Sequence, residues 1–161
     1  LGFSASKRRG VRKAEAAGLI VRESRDFAAY WKILSARLDE AYSVAPTHRL
    51  EEIELLVSRF PNRILLFVSG ASNDPKAGVV VFDCPPVAHV QYIATTAEGR
   101  KICALDQVID SVRAEYSGRR WINLGSSTEN SGQYLNVGLA GQKERFGARG
   151  LIFPRYELSV Q

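Results

Sequence analysis

A few side chains in this sequence can hold charge or move a proton, and they fall into three groups. His89, Gln91 and Tyr92 share one apolar stretch, Asn123 to Glu129 forms a polar run, and Lys143 lies between Gln142 and Glu144. A histidine titrating near neutrality can take a proton from an amine nucleophile. Gln91 can orient an amide, and Tyr92 can protonate a leaving group. Glu129 can serve as a base, while Asn123, Ser126 and Ser127 offer small polar contacts to a substrate. An ammonium such as Lys143, in a partly desolvated cleft, can stabilise negative charge developing on a reacting group. Each residue also has a plain structural role open to it. His89 can make an ordinary strand hydrogen bond, and Tyr92 can be core. Glu129 suits the first turn of a helix, and Ser127, Thr128 or Asn130 can be its N-cap. Lys143 can be solvated beside Glu144 and Arg145. The Gly-x-Ser-x-Gly spacing of a nucleophile elbow is absent.

The surrounding pattern says which elements must position these residues. Ser4 or Ser6 can cap a basic helix running to about Ala17, with Gly18 ending it. Leu19 to Glu23 reads as a short strand. Asp26 then opens a helix with Phe27, Trp31, Leu34 and Leu38 on one stripe. A further helix carries Leu50, Ile53, Val57 and Phe60, and Pro61 stops it. Ile64 to Val68, Gly78 to Phe82 and Val87 to Ala94 read as three strands joined by short turns, an antiparallel meander. Along the third, alternation puts Val87, His89, Gln91 and Ile93 on one face and Ala88, Val90, Tyr92 and Ala94 on the other. Glu98 to Tyr116 is expected as one helix and Trp121 to Leu124 as a strand. A helix is then expected from about Asn130 to Phe146, with Tyr134 and Asn136 on it. Leu151 to Val160 is expected as a last strand or strand pair. The fold class is therefore α/β, a mixed sheet with helices on both faces. Ligands in such sheets sit beyond strand C-terminal ends, near Thr95-Thr96 and Gly125-Ser126-Ser127.

Three segments in this order resemble the GNAT superfamily of acyltransferases, and within it the Fem-type (FemAB-like) branch of tandem GNAT folds. The first is Lys7-Arg8-Arg9-Gly10-Val11-Arg12-Lys13-Ala14-Glu15 with Gly18-Leu19. The second is His89 to Ala94 with Gly99-Arg100 and Ala104-Leu105-Asp106. The third is Asn123 to Ser127, then Asn136-Val137-Gly138-Leu139, then Gln142-Lys143-Glu144-Arg145-Phe146-Gly147, which is similar to a Phe-Lys-x-x-Phe-Gly signature with Gln142 in the first place. The resemblance implies transfer of an acetyl or aminoacyl group from an activated donor to an amine or hydroxyl acceptor. It implies that Lys143 stabilises the charge on the reacting carbonyl or phosphate. The donor would be acetyl-CoA or another acyl-CoA, held by Thr95, Thr96, Gly99, Arg100 and Lys101, or else an aminoacyl-tRNA, the one case that calls for nucleic acid. The usual CoA loop, Gln/Arg-x-x-Gly-x-Gly/Ala, meets Thr96 three before Gly99 and Lys101 two after. Glu98 would repel a pyrophosphate there, and Arg100 and Lys101 would compensate. Residues 1–17 would be a basic N-terminal helix that can serve as a connector between domains, and residues 18–161 the GNAT-like domain. A second GNAT half or a homodimer partner would complete it. A non-catalytic half-domain acting as a binding or structural module is the alternative.

Composition sets the outer bounds. The 161 residues suffice for one domain with a real core. At 45% hydrophobic and 24% charged, the chain has globular composition, and no apolar run reaches membrane-spanning length. The net charge of +5 suits an acidic partner or a solvated basic helix equally. Cys84 and Cys103 make neither a disulfide framework nor a metal site and read as thiols of a reducing, cytoplasmic compartment. His48 and His89 are too few and too far apart for a metal centre. The chain begins at Leu1 and has no methionine, as a processed or excised piece would.

Overall fold

The computed structural model describes residues 2–71, 73–154 and 156–158. The first helix, α1 (Ala5–Ala16), starts where the Ser4 hydroxyl accepts from the Lys7 N–H, and the chain turns away through Gly18 at φ +76°. Strand β1 (Val21–Ser24) follows, then α2 (Phe27–Tyr42) and α3 (Leu50–Arg59). Asp26 caps α2 by accepting from the Ala29 N–H at 2.8 Å, which meets one of the donors a helix start leaves unpaired. The long strands are β2 (Ile64–Ala71), β3 (Asp74–Cys84) and β4 (Val87–Thr95).

These strands and β5 (Trp121–Asn123) form one sheet in the order β1-β2-β3-β4-β5. The first four are mutually antiparallel and β5 runs parallel to β4, so the sheet is mixed. Both faces are covered, which is why β2 and β3 read as nearly continuous apolar runs. On one face α2 and α3 bury Tyr30, Leu34 and Ile53 against Leu66, Val68 and Val80. On the other, Val108 and Val112 of the helix Ala104–Glu115 pack on Val79, Val81 and Val90, together with Phe3 and Phe146. Phe60, expected on the apolar stripe of α3, is exposed.

The sequence pattern misplaces faces along β4. Val81 pairs with Val90 but Val80 pairs with Tyr92, leaving Gln91 as an extra residue. Such a bulge bends its strand and interrupts strict alternation. Ala88, Val90 and Ile93 therefore share the Val108 face, while Tyr92 and Ala94 turn to α2 and α3.

Three further expectations are corrected. The helix expected over 98–116 is two, α4 (Ala97–Lys101) and α5 (Ala104–Glu115), split where Cys103 takes φ +60°. The helix expected over 130–146 is only α6 (Val137–Arg145). Before it, β6 (Thr128–Glu129) and β7 (Tyr134–Leu135) form a small hairpin. Asn130, Ser131 and Gly132 all have positive φ, a conformation no right-handed helix can hold. No strand forms over residues 151–154 or 156–158, while Ser159 and Val160 lie outside the described residues. Pro154 removes a ladder donor from the middle of that segment. No helix among the described residues is long and apolar enough to cross a membrane.

Candidate functional site

The site begins where two strands part. β4 and β5 pair only at Val87 with Trp121, Ala88 with Ile122 and His89 with Asn123, although β4 continues to Thr95. The Gln91 bulge comes two residues after the last pair, so β4 bends just as its parallel neighbour ends. The result is an open cleft of about 370 Å³. His89, Gln91 and Ile93 line it from β4. Leu124, Gly125 and Ser126 come from the end of β5, and Leu139 and Lys143 come from α6.

The polar groups of the cleft form two separate hydrogen-bonded sets. The ring nitrogen Nε2 of His89 lies 2.9 Å from Gln91 Oε1. With the amide oxygen in that place, Nε2–H donates and Nδ1 is left as the basic nitrogen. Across the cleft, Lys143 Nζ donates to the carbonyls of Gly125 at 2.9 Å and Ser126 at 2.5 Å. Its amine therefore reaches the loop at the end of β5. Burial holds the Lys143 pKa below the ordinary lysine value.

The expected substrate contacts build this loop. Asn123 Oδ1 accepts from the Gly125 N–H at 2.7 Å, and Gly125 turns the chain at φ +76°. Ser126 Oγ accepts from the Thr128 N–H at 3.1 Å. The Ser127 carbonyl accepts from the Asn136 N–H at 2.9 Å. Glu129 is not in a helix: its carboxylate accepts from Asn136 Nδ2 at 2.6 Å. Asn136 Oδ1 in turn caps α6 by accepting from the Leu139 N–H at 2.9 Å, so the N-cap is Asn136 and not Ser127, Thr128 or Asn130. Tyr134 is exposed on β7 and does not line the cleft.

Tyr92 does not line it either. The bulge turns its ring under α2 and α3, where its hydroxyl lies 2.5 Å from His48 Nδ1 and its ring packs edge-on to Trp31. His48, in the α2–α3 connection, is a contact no local signal could have announced.

The segment expected to hold a CoA pyrophosphate is engaged with β3. Thr96 N–H donates to the Lys76 carbonyl at 2.9 Å, and Thr96 Oγ1 accepts from the Gly99 N–H at 2.9 Å. Thr95 Oγ1 also donates to the Lys76 carbonyl. A Cβ on Gly99 would stand 2.1 Å from that same carbonyl oxygen, so the glycine answers a close approach of β3. Glu98 pairs with Lys76 at 2.8 Å, and Arg100 reaches Glu40 at 3.6 Å and the Thr95 carbonyl. Lys101 is exposed on α4. None of these five residues lines the cleft. The N–H groups of Thr96 and Gly99 are thus bonded within the chain. Among the described residues no three His, Cys, Asp or Glu side chains gather where they could share a metal.

No family model and no curated protein sequence matches the chain. Its likeness is to solved structures. A possible acetyltransferase from Clostridium difficile 630 superposes with a TM-score of 0.61 at 14% identity, covering 89% of this chain and 98% of that one. A ribosomal-protein-alanine N-acetyltransferase from Brucella melitensis biovar Abortus 2308 gives 0.56 at 14% identity, covering 89% and 99%. AAC(6')-Iy, in complex with the bisubstrate analogue CoA-S-monomethyl-acetylneamine, gives 0.54 at 15% identity, covering 87% and 99%. At these identities the likeness is one of fold, and the fold of this chain, a mixed sheet that splays between β4 and β5, is that of the GNAT acetyltransferases.

Proposed function

We propose that the protein is an acyltransferase that passes an acyl group from an activated donor to an amine or hydroxyl acceptor at the β4–β5 cleft. The observation that carries this reading is the placement of Lys143 and His89 on opposite walls of one cleft. Attack on an ester or thioester carbonyl needs a base for the nucleophile's proton and a positive group for the oxyanion. His89, with Nε2 on Gln91, has its second nitrogen available as the base. Lys143 is the cation, and an ammonium has three N–H groups of which two serve the loop carbonyls. The fold neighbours add support, since one is a ribosomal-protein-alanine N-acetyltransferase and another holds a CoA–acetylneamine analogue.

The donor is acetyl-CoA or another acyl-CoA, or, as the Fem-type resemblance implies, an aminoacyl-tRNA. The bonding of Thr95 and Thr96 to the Lys76 carbonyl favours the second reading, a non-catalytic GNAT-like half-domain. Two measurements separate them. Isothermal titration with acetyl-CoA tests the CoA reading. Release of amino acid from radiolabelled aminoacyl-tRNA, in the presence of a panel of amines, tests the other. Transfer from either donor that is lost in Lys143→Ala supports the enzyme. Binding of neither donor and transfer from neither leaves the half-domain.

A further inference from the structure

Helix α6 carries Lys143, yet none of its nine residues is buried. A helix this short does not hold itself in water, so its position is set at its ends. The N-terminal end is fastened by Asn136 and Glu129. The C-terminal end is fastened by the first residues of the chain. Phe146, just past α6, packs edge-on to Phe3 with centroids 5.3 Å apart. Ser4 N–H donates to the Arg145 carbonyl at 2.9 Å. Gly147, at φ +87°, passes so near the Gly2 carbonyl that a Cβ would stand 3.1 Å from its oxygen. The Arg8 guanidinium donates to the Phe3 carbonyl and steadies the same segment.

Lys7 completes the joint. Its amine sits 4.2 Å from the Phe146 ring centroid and 2.7 Å from Asp106 Oδ1 on α5. The side chains of this pair are only 17% and 11% exposed. Gly10, less than one turn further along α1, is buried, and a Cβ there would lie 2.1 Å from Asp106 Oδ2. One ammonium therefore joins a carboxylate on α5 to an aromatic face at the end of α6. Lys143 precedes Phe146 by three residues, so the two occupy one turn of the same helical face.

We propose that Phe3 and Lys7 are positioning residues: the N-terminal segment clamps the end of α6 to α5 and thereby holds the Lys143 amine at the mouth of the cleft. The proposal rests on Lys143 being the cleft's cation. Loss of the clamp frees the last turns of α6 and lets Lys143 leave the Gly125 and Ser126 carbonyls for water.

The test does not depend on knowing the enzyme's own donor. Amide exchange read by mass spectrometry compares α6 with α5 in wild type, Phe3→Ala, Lys7→Met and Lys7→Arg. Lys143 labelling by acetic anhydride, followed against pH on the same proteins, reports its protonation midpoint. His89 is the other titratable side chain of the cleft wall, and none of these variants alters it. The expected result is exchange in α6 faster by roughly tenfold or more in Phe3→Ala and Lys7→Met, with α5 little changed. The Lys143 midpoint rises toward that of an ordinary lysine in both, and Lys7→Arg keeps the wild-type values. Phe3→Ala leaves the Lys7–Asp106 pair in place, so it serves if Lys7→Met does not fold. A uniform rise in exchange across all elements, or an unmoved Lys143 midpoint in both variants, overturns the proposal. Intact acyl transfer in Lys143→Ala would instead sink the functional reading, and the exchange and labelling results would still stand.

Discussion

Lys143 is held by two carbonyls but disfavoured in its charged form by burial. If its ammonium stabilises an oxyanion, Lys143→Ala should retain the fold and lose roughly 10²–10³-fold in turnover, the scale for one such donor. The downward pKa also fixes the sign of a pH effect. The charged form disappears at a lower pH than for an ordinary lysine, so the alkaline limb of kcat/KM should fall early. Lys143→Arg should move that limb to higher pH, and a limb unaffected by the change would assign it to another group. Tyr116 offers a separate test on stability. Its hydroxyl is buried without a hydrogen-bond partner among the described residues, and burial, with Asp83 adding, pushes its pKa up to about 12. The unfolded chain thus releases this proton first as pH rises from about 10. The contribution of Tyr116 is fully present below that pH and is lost toward about 12. Tyr116→Phe removes the stranded hydroxyl, so urea unfolding at neutral pH should show a gain of about 1 kcal/mol. The alkaline loss of stability should be smaller in the variant, and a destabilised Tyr116→Phe would mean the hydroxyl does have a partner.

At the scale of elements, α6 and β4 decide the site. Asn136 both caps α6 and ties it to Glu129. Asn136→Ala should cost about 1 kcal/mol and speed amide exchange in the first turn of α6 before any other helix. Equal exchange across the helices would show that the cap does not set the local stability. Sheet packing is tested at Gly78, where the Tyr30 ring crosses β3. A Cβ there would lie 2.9 Å from two ring carbons, and Tyr30 Oη donates to the Gly78 carbonyl at 3.2 Å. Gly78→Ala should therefore destabilise by roughly 1–3 kcal/mol, as overpacking does, with a lower urea midpoint as the readout.

Across the whole molecule the sheet separates two apolar cores, and Leu34 and Val108 are fully buried in different ones. Leu34→Ala should cost about 2–5 kcal/mol. Its effect should add to that of Val108→Ala within about 0.5 kcal/mol, because the two sites share no packing partner. A larger coupling in the double variant, measured by urea unfolding, would mean that the sheet transmits repacking from one face to the other. The same two-faced sheet explains why the cleft opens where it does. β3 and β4 are held from both sides by helices, whereas β5 is short and lies at the edge.

Period and punctuation in the sequence were enough for α1, α2, α3 and the β2–β4 meander, because each is coded locally by caps, glycines and an apolar repeat. The mixed sheet with a helix layer on each face followed from the order of those elements. Sequence marked Lys143 as a candidate cation, but its reach to the Gly125 and Ser126 carbonyls is a tertiary contact. What sequence could not supply was the Gln91 bulge, since a bulge exists only in the register between two strands. That single residue brings Ile93 onto the face of Ala88 and Val90 and turns Tyr92 and Ala94 to the opposite one. Positive φ at Asn130 and Ser131 likewise broke an apolar pattern that reads as one long helix. The engagement of Gly99 and Glu98 with Lys76 depends on β3 lying beside α4, a contact between residues over twenty positions apart. Local propensity acts over one or two turns, whereas a site at the meeting of β4, β5 and α6 is made by register and packing between distant segments.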